Sequence, residues 1–220
     1  MSILSTYTTE NYLKAIVKIL ATPNKERITT GELAKLLQVT SGTATTMIKK
    51  LEREGYVKYT SYQGCSLTQK GSEYGLRVLR RHRLLETFLI DVLNLSWDEA
   101  HEEAEKLEHS ISDNLTEKIA IYLKHPTKNY SGNIIPAKEQ LSYQINDSPL
   151  REAPLNEKLT ISRIEGNSEM ASYFKEEQLL PGNEVTLLEL NIEIGLAKLK
   201  VKNKVKTISL LALNNLFYEN

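Results

Sequence analysis

The sequence has a single cysteine, Cys65, in 220 residues. One cysteine cannot form a disulfide within the chain, and it cannot supply the several thiolates of a structural zinc knuckle. Disulfide-stabilised folds and Cys-based zinc modules are therefore excluded within this chain. Scarce cysteine is typical of proteins from a reducing compartment, so we expect a cytoplasmic protein.

Long hydrophobic runs are also missing. A membrane-spanning helix needs roughly 20 consecutive apolar residues, and no segment of the sequence approaches that length. Residues 1–10 contain no basic stretch followed by an apolar core, so we expect no export signal. These absences predict a protein that neither crosses a membrane nor takes a membrane as its partner.

The net charge is zero because 28 basic and 28 acidic residues balance, but these residues are unevenly distributed. Residues 1–80 contain 12 Lys and Arg against 6 Asp and Glu, residues 81–145 contain 7 against 11, and residues 146–220 contain 9 against 11. A basic segment favours a polyanionic partner, since released counterions provide affinity that is independent of sequence. Ordinary variation in surface charge is the alternative explanation.

The first third of the chain shows a pattern of three helices followed by a hairpin. Apolar spacing predicts a first helix over residues 9–22 and a second helix that begins after Thr29 or Thr30. Residues 39–42 predict a tight turn into a third helix. Residues 56–67 are rich in Tyr, Val and Thr and predict a two-stranded wing. This order of elements is that of a winged helix-turn-helix.

The third predicted helix has one apolar face and one polar face. Ala44, Met47, Ile48 and Leu51 recur at the spacing of a buried face. The other face and the preceding turn have short hydroxyls and lysines, which suit contact with phosphates and base edges. The candidate DNA-binding residues are Thr40, Ser41, Gly42, Thr43, Thr45, Thr46, Lys49 and Lys50. A plain three-helix core with a solvated polar face is the alternative.

Helical patterns continue to about residue 124 and then give way to short β-rich runs. A long helix is predicted over residues 71–92, the next helix begins with a capping box of Ser96 and Glu99, and a third covers residues 113–124. Residues 141–154 lack periodicity and predict a linker. Four later runs predict a small β-barrel or sandwich, namely residues 159–164, 185–194, 196–201 and 207–211. The sequence therefore predicts a multidomain, mainly α protein with a small β domain.

The helix that begins after Ser96 has potential metal ligands beside its apolar stripe. Four residues share one arc of this helix: His101, Glu105, Glu108 and His109. His82 and Glu86, spaced i, i+4 on the preceding helix, can face a packed neighbour together. Imidazoles and carboxylates without a thiolate suit Mn²⁺, Fe²⁺ or Zn²⁺. For each residue taken singly, a solvated charged face is the alternative.

The sequence lacks the motifs of the enzymes that such residues serve. Residues 101–105 do not match the zinc-protease pattern H-E-x-x-H, and no Glu-x-x-His pair of the di-iron bundle type occurs. There is also no Gly-rich phosphate-binding loop. We therefore expect a protein that is not an enzyme, with a metal hydrolase as the least favoured alternative.

At these positions the sequence resembles the diphtheria toxin repressor and manganese transport regulator family. The resemblance covers nearly the whole chain, and its most specific segments are residues 81–86, RHRLLE, and residues 101–109, HEEAEKLEH. Residues 9–13 and Ile135-Pro136 also match. The resemblance implies three domains: a winged helix-turn-helix domain over residues 1–75, a helical metal-binding and dimerisation domain over residues 76–143, and an SH3-like (FeoA-like) β-barrel over residues 155–220.

The resemblance also implies two metal sites. The primary site would consist of Asn11, Glu105, Glu108 and His109, and the second site of His82, Glu86 and His101. Glu105 stands where iron-type members have cysteine, which favours Mn²⁺ over Fe²⁺, with Zn²⁺ as a further alternative. Asn11 stands where members have Met or Asp, and its neutral amide is a weaker oxygen ligand than a carboxylate.

The residues and the resemblance together predict a homodimeric repressor of metal-uptake genes. We expect it to bind double-stranded operator DNA when a divalent metal, Mn²⁺ before others, is bound, and to have no small organic substrate. The second hypothesis is a winged-helix regulator that senses an organic ligand and uses the His and Glu residues only structurally. Titration of metal with DNA binding as the readout distinguishes the two.

Overall fold

The computed structural model describes residues 3–219, with side chains from residue 6 onward, and its contacts divide the chain into two compact units. The first unit runs to Leu85 and includes Ala104–Thr127 and Ile135–Ile145. The second unit consists of Glu86–Glu103, Lys128–Ile134 and the residues from Asn146 onward. The boundaries of the three expected domains stay predictions beside this division.

The first unit begins with three helices and a hairpin. These are α1 (Ile3–Leu20), α2 (Thr30–Leu36), α3 (Ser41–Arg53), β1 (Val57–Thr60) and β2 (Gly64–Leu67). A capping box starts α2, because Thr29 Oγ1 accepts a hydrogen bond from Glu32 N–H while Glu32 accepts one from Thr29 N–H. The hairpin strands pair antiparallel, with Val57 opposite Leu67. The predicted three helices and wing are confirmed, and α1 begins earlier than predicted.

The apolar faces of α1 and α3 share one core with the hairpin. Leu13 of α1 and Ile48 of α3 are fully buried in this core. Ile28, before α2, exchanges two backbone hydrogen bonds of 2.9 Å with Cys65 of β2. Gly64 permits this approach, because its φ is +89° and a Cβ there would lie 2.1 Å from Ile28 O. The core therefore positions α3 with its polar face outward.

Three further helices follow the hairpin, α4 (Gln69–Asp91), α5 (Trp97–Leu107) and α6 (Asp113–Tyr122). The predicted capping box before α5 is confirmed, since Ser96 N–H and Oγ both donate to Glu99 Oε2. Glu108 and His109 were expected on α5 but lie in the turn that closes it, where Glu108 N–H still bonds to Ala104 O at 2.9 Å. None of the helices within residues 3–219 is both long and apolar enough to span a lipid bilayer.

The second unit contains a six-stranded antiparallel sheet in the order β3-β8-β4-β5-β6-β7. Its elements are β3 (Asp147–Pro149), a 3₁₀ turn (Leu150–Glu152), β4 (Lys158–Ile164), α7 (Ser168–Glu176), β5 (Glu184–Asn191), β6 (Leu196–Val201), β7 (Lys204–Ser209), α8 (Leu210–Leu213) and β8 (Leu216–Glu219). Phe174 of α7 is fully buried against the apolar side of this sheet, together with Ile161 and Leu199. The predicted small β domain is thus confirmed.

Three expectations for this region need correction. The closed SH3-like barrel is not confirmed, because β3 and β7 are the two edges of the sheet and do not pair within the described residues. Residues 141–154 are not wholly a linker, since Asp147–Pro149 forms β3 against β8. The strand predicted to reach residue 211 ends at Ser209, whose side chain caps α8 by accepting from Ala212 N–H at 3.1 Å.

Candidate metal centre and DNA-binding surface

The outward face of α3 is polar and free of large apolar side chains. Ala44, Met47, Ile48 and Leu51 are buried, whereas Ser41, Gly42, Thr43, Thr46 and Lys49 are exposed. Thr40 is the N-cap of α3, and its Oγ1 accepts a hydrogen bond of 3.1 Å from Thr43 N–H. The N-terminal half of α3 therefore presents hydroxyls to solvent and Lys49 follows further along the same helix, as the recognition helix of a helix-turn-helix requires.

Two hydroxyls of this face are bonded within the helix. Thr45 Oγ1 donates to Ser41 O at 2.7 Å, and Thr46 Oγ1 donates to Gly42 O at 2.9 Å. Each hydroxyl retains its lone pairs as acceptors, so both can still accept a hydrogen bond from a base edge. Lys50 is half-buried and lies 3.9 Å from Glu54 Oε1. Lys49 is the more exposed of the two neighbouring lysines on α3.

The wing ends in an exposed aromatic residue. Tyr62, in the turn between β1 and β2, has a φ of +65° and a fully exposed side chain. Lys58 on β1 is also exposed. A solvent-facing aromatic ring and a lysine on the wing are thus accessible to a binding partner.

The potential metal ligands of the first unit converge where α4 and the end of α5 meet. Donor atoms of His82, Glu105 and Glu108 lie within 4.8 Å of one another. His82 Nδ1 is 2.8 Å from Glu108 Oε2 and 3.6 Å from Glu105 Oε1. Glu108 is completely buried. Two carboxylates and an imidazole thus surround one small volume.

Lys14 of α1 also reaches these carboxylates. Its Nζ donates to Glu105 Oε1 at 2.6 Å and to Glu108 Oε1 at 2.7 Å, and 9% of its side chain is exposed. The ammonium group lies between two acidic side chains that would otherwise repel each other at close range, and it offsets one of their two negative charges. A positive charge is therefore held at the carboxylate pair by the chain itself.

His109 is oriented by a carboxylate from α1. Its Nδ1 hydrogen-bonds Glu10 Oε2, its Nε2 lies 3.3 Å from Glu108 Oε1, and its ring stacks on Tyr7 with centroids 4.7 Å apart. An Nδ1–H that donates to Glu10 leaves the Nε2 lone pair on the side of Glu108 in the neutral ring. This is the tautomer and the carboxylate–histidine pairing found at metal-ligating histidines.

The charge of Glu10 is stabilised by its neighbours. Burial opposes ionisation of Glu10, but the hydrogen bonds that it accepts from His109 and Tyr74 outweigh the effect of burial. The Tyr74 hydroxyl donates at 2.8 Å, and Arg81 adds a positive charge 3.8 Å away. The pKa of Glu10 therefore lies below its usual value. Burial, followed by the hydrogen bond to the charged Glu10, raises the pKa of Tyr74 to about 12. Glu10 is thus an anion that holds His109 in position.

Asn11 lies one residue after Glu10 on α1. Its Oδ1 is buried and has no hydrogen-bond partner among the described residues. A buried amide oxygen without a partner costs free energy, and a bound cation would relieve that cost. The assignment of Asn11 as a ligand stays a prediction, as does the set Glu105, Glu108 and His109.

The residues expected in the second site fall on both sides of the division between the units. Glu86 and His101 belong to the second unit, where His101 Nδ1 lies 2.9 Å from Glu86 Oε1. Asn129 Nδ2 donates to the other oxygen of Glu86 at 3.2 Å, and Asn129 Oδ1 accepts from Ser131. His82 precedes Glu86 by four residues on α4 and belongs to the first unit.

The donor set of the first cluster fits a divalent metal ion. It consists of carboxylate oxygens and imidazole nitrogens, which bind Mn²⁺, Fe²⁺ and Zn²⁺, and the position of the Lys14 ammonium shows that the carboxylate pair accommodates a cation. A thiolate ligand is excluded, because Cys65 is fully buried in the core around α1 and α3 and burial raises the pKa of its thiol to about 11.

Two residues of the cluster were missed in the sequence. Glu10 and Lys14 are spaced i, i+4 on α1, and each lies three residues before an apolar residue of the buried stripe, Leu13 and Val17. Charged residues in line with a buried stripe need a partner inside the fold, so this spacing could have identified them. Their partners on α5 and its closing turn are more than 90 residues away in sequence, and only the structure identifies them.

Comparisons with known proteins agree along most of the chain. Residues 5–65 match a family model for the iron-dependent repressor N-terminal DNA-binding domain, and residues 68–137 match the model for the iron-dependent repressor metal-binding and dimerisation domain. An uncharacterized HTH-type transcriptional regulator from Methanocaldococcus jannaschii is 42% identical over 115 residues, which are 52% of this chain and 91% of that protein.

Longer matches include both iron-dependent and manganese-dependent proteins. The iron-dependent repressor IdeR of Mycobacterium tuberculosis is 28% identical over 196 residues, which are 82% of this chain and 83% of that protein. A solved structure of a manganese-dependent transcriptional repressor in complex with manganese superposes with a TM-score of 0.85 at 28% identity, covering 96% of this chain and 98% of that chain.

Proposed function

The chain belongs to the diphtheria toxin repressor and manganese transport regulator family of metal-dependent transcriptional repressors. We propose that it represses metal-uptake genes by binding operator DNA as a homodimer when Mn²⁺ is bound. The resemblance seen in the sequence is thereby confirmed. Proteins of this family bind DNA and dimerise, and they are repressors rather than enzymes.

The convergence of His82, Glu105 and Glu108 is the observation on which the proposal depends. Three potential ligands from α4, α5 and the turn after it have donor atoms within 4.8 Å, although they are separated by up to 26 residues in sequence. Glu105 and Glu108, with His109 and Asn11, form the proposed primary site, and His82, whose ring lies beside these two carboxylates, is proposed for the second site. Glu10 orients His109, and its pairing supports a ligand role for that imidazole.

Manganese is the proposed metal because the donors of the primary site are hard. Glu105 provides an oxygen where iron-type members provide a thiolate, and carboxylate oxygens suit Mn²⁺ better than they suit softer metals. Fe²⁺ and Zn²⁺ remain the alternatives to be compared. When bound, a divalent cation would supply positive charge that holds Asn11 of α1 and the ligands at the end of α5 at one point.

The elements of this centre are continuous with those that present the recognition helix. Glu10, Asn11 and Lys14 lie on α1, and α1 also packs in the same core as α3 through Leu13 and Ile48. A change in the position of α1 therefore alters the support of α3. In a dimer bound to DNA, the two recognition helices must lie about 34 Å apart, so a small shift of α3 decides whether both can enter the major groove.

The proposed DNA contacts are those of the polar face of α3, its N-terminal turn and the wing. Lys49 and Lys50 would contact phosphates, while Thr43 and Thr46 are placed to contact base edges. Their exposure, apart from the half-buried Lys50, supports this assignment. For the second site we propose Glu86 and His101 with His82, supported by the close approach of Glu86 and His101 in the second unit.

The proposal is tested by selecting operator sequences and then removing the metal. The protein with Mn²⁺ is used to enrich binders from a random double-stranded DNA pool, and the enriched sequence is titrated with and without a chelator. We expect tight binding with Mn²⁺ and loss of binding with the chelator. Equal binding in both conditions would contradict metal activation, and failure to enrich any sequence would contradict the operator-binding role.

A further inference from the structure

Lys14 occupies the carboxylate pair of the proposed primary site. Its Nζ lies 2.6 Å from Glu105 Oε1 and 2.7 Å from Glu108 Oε1. Glu108 Oε1 is also 3.3 Å from His109 Nε2, so the ammonium bonds to an oxygen that faces another proposed ligand. The contact is formed within the first unit and joins α1 to the end of α5.

A buried lysine of this kind is unusual. Lysine side chains are almost never fully buried unless they are paired, and Lys14 meets this condition with two carboxylates at once. An ammonium is a compact, strongly hydrated charge at the end of a flexible four-carbon chain. It therefore offsets part of the negative charge of the two acidic groups in the metal-free protein and can also withdraw to solvent by rotation of that chain.

The ammonium and a divalent cation compete for the same two oxygens. Each requires Glu105 Oε1 and Glu108 Oε1 as negative partners, and two positive charges at this distance repel strongly in a site screened from water. Lys14 must leave the carboxylates before Glu105 and Glu108 can both bind a divalent cation. Glu105 is partly exposed, which gives the ammonium a route outward.

We propose that Lys14 is an internal competitor for the metal that sets the Mn²⁺ concentration at which the protein becomes loaded. In the metal-free state Lys14 ties α1 to the end of α5 through Glu105 and Glu108. Metal binding replaces that tie and releases Lys14 from the carboxylates, so the contacts of α1, which shares its core with α3, differ between the two states. This inference rests on the proposed function, because it assumes that Glu105 and Glu108 are metal ligands.

A purely structural ion pair predicts the opposite result for metal binding. If Lys14 only held the cluster in shape, its loss would let the carboxylates move apart and would weaken their affinity for metal. If Lys14 competes with the metal, its loss leaves the carboxylates uncompensated and raises that affinity. The sign of the change therefore separates the two roles.

The test compares Lys14→Met with Lys18→Met in the full-length chain. Methionine keeps an unbranched side chain of similar length but has no charge, and Lys18 is an exposed lysine one turn further along α1. Binding of Mn²⁺ alone is measured by calorimetric titration, and the stability of the metal-free proteins by urea unfolding. We expect Lys14→Met to bind Mn²⁺ about tenfold or more tightly, because a nearby positive charge is removed. It should also be less stable without metal, and Lys18→Met should match the wild type in its Mn²⁺ affinity.

Each result has a separate meaning. The competitor role is overturned if Lys14→Met binds Mn²⁺ no more tightly than Lys18→Met does. In that case the proposed function stands as long as the wild type binds Mn²⁺. Absence of Mn²⁺ binding in the wild type and all variants overturns both. If Lys14→Met does not fold, Lys14→Gln is used with the same criteria, and Lys14→Arg, which keeps the positive charge, should not tighten binding.

Discussion

Replacing Glu108 with glutamine and, separately, Glu105 with glutamine should separate the structural role of the cluster from its metal role. Both variants remove one negative charge and keep the shape of the side chain. Glu108 is completely buried and lies within 3.3 Å of Lys14, His82 and His109, whereas 38% of the Glu105 side chain is exposed. The two positions therefore differ in burial while they share the proposed ligand role.

The expected loss of stability follows from that difference. Removing one partner of a buried ion pair costs about 3–5 kcal/mol. Lys14 keeps Glu105 as a partner in Glu108→Gln, so we expect about 2–3 kcal/mol for that variant without metal. In Glu105→Gln the lost contact is partly exposed and Lys14 keeps Glu108, so we expect less than about 1 kcal/mol.

The metal affinities should not follow the same order. Loss of even an outer partner of a metal ligand lowers affinity about 10–100-fold, so both variants should bind Mn²⁺ at least tenfold more weakly. Urea unfolding measures the stabilities and calorimetric titration measures the affinities. Glu117→Gln is the control, because Glu117 pairs with Arg80 in the same unit but outside the cluster. Equal destabilisation by the two variants, or unchanged Mn²⁺ affinity in both, would refute this reasoning.

Three further predictions concern DNA, metal choice and pH. Lys49→Ala should weaken binding to operator and to random DNA by similar factors, and it should make the plot of log affinity against log salt concentration less steep by about 0.9. An unchanged slope would show that Lys49 does not contact a phosphate. Asn11→Asp should tighten Mn²⁺ binding, and Glu105→Cys should shift the metal preference towards Fe²⁺, Co²⁺ or Zn²⁺. Unchanged metal affinities of both variants in calorimetric titration would contradict the assigned primary site. Glu32 has a pKa lowered to about 2, first by its hydrogen bond from Lys25 and then by Thr29, so its contribution to stability is present above pH 4.5 and is lost as the pH falls towards 2. The difference in urea midpoint between wild type and Glu32→Gln should accordingly shrink over that range, and a constant difference would contradict the linkage.

Local features of the chain could be read from the sequence because the interactions that define them lie close together. The capping box of Ser96 and Glu99 spans three residues, and the hairpin of β1 and β2 pairs residues that are at most ten apart. The buried face of α3 follows from helical spacing alone. The family resemblance also depended on short contiguous segments, which explains why function class was accessible before the fold.

The tertiary structure decided which side chains meet. Lys14 and Glu10 reach residues at the end of α5, and Asp147 of β3 pairs with Glu219 of β8, although each pair is separated by 70 or more residues. The same applies to the open sheet, whose edges depend on which strands pair. The sequence alone determined the helices, the wing and a set of ligand types, since these follow from neighbouring residues. The composition of the cluster, including its internal ammonium, depends on how the faces of α1, α4 and α5 pack, because packing brings together charges that no short-range pattern relates.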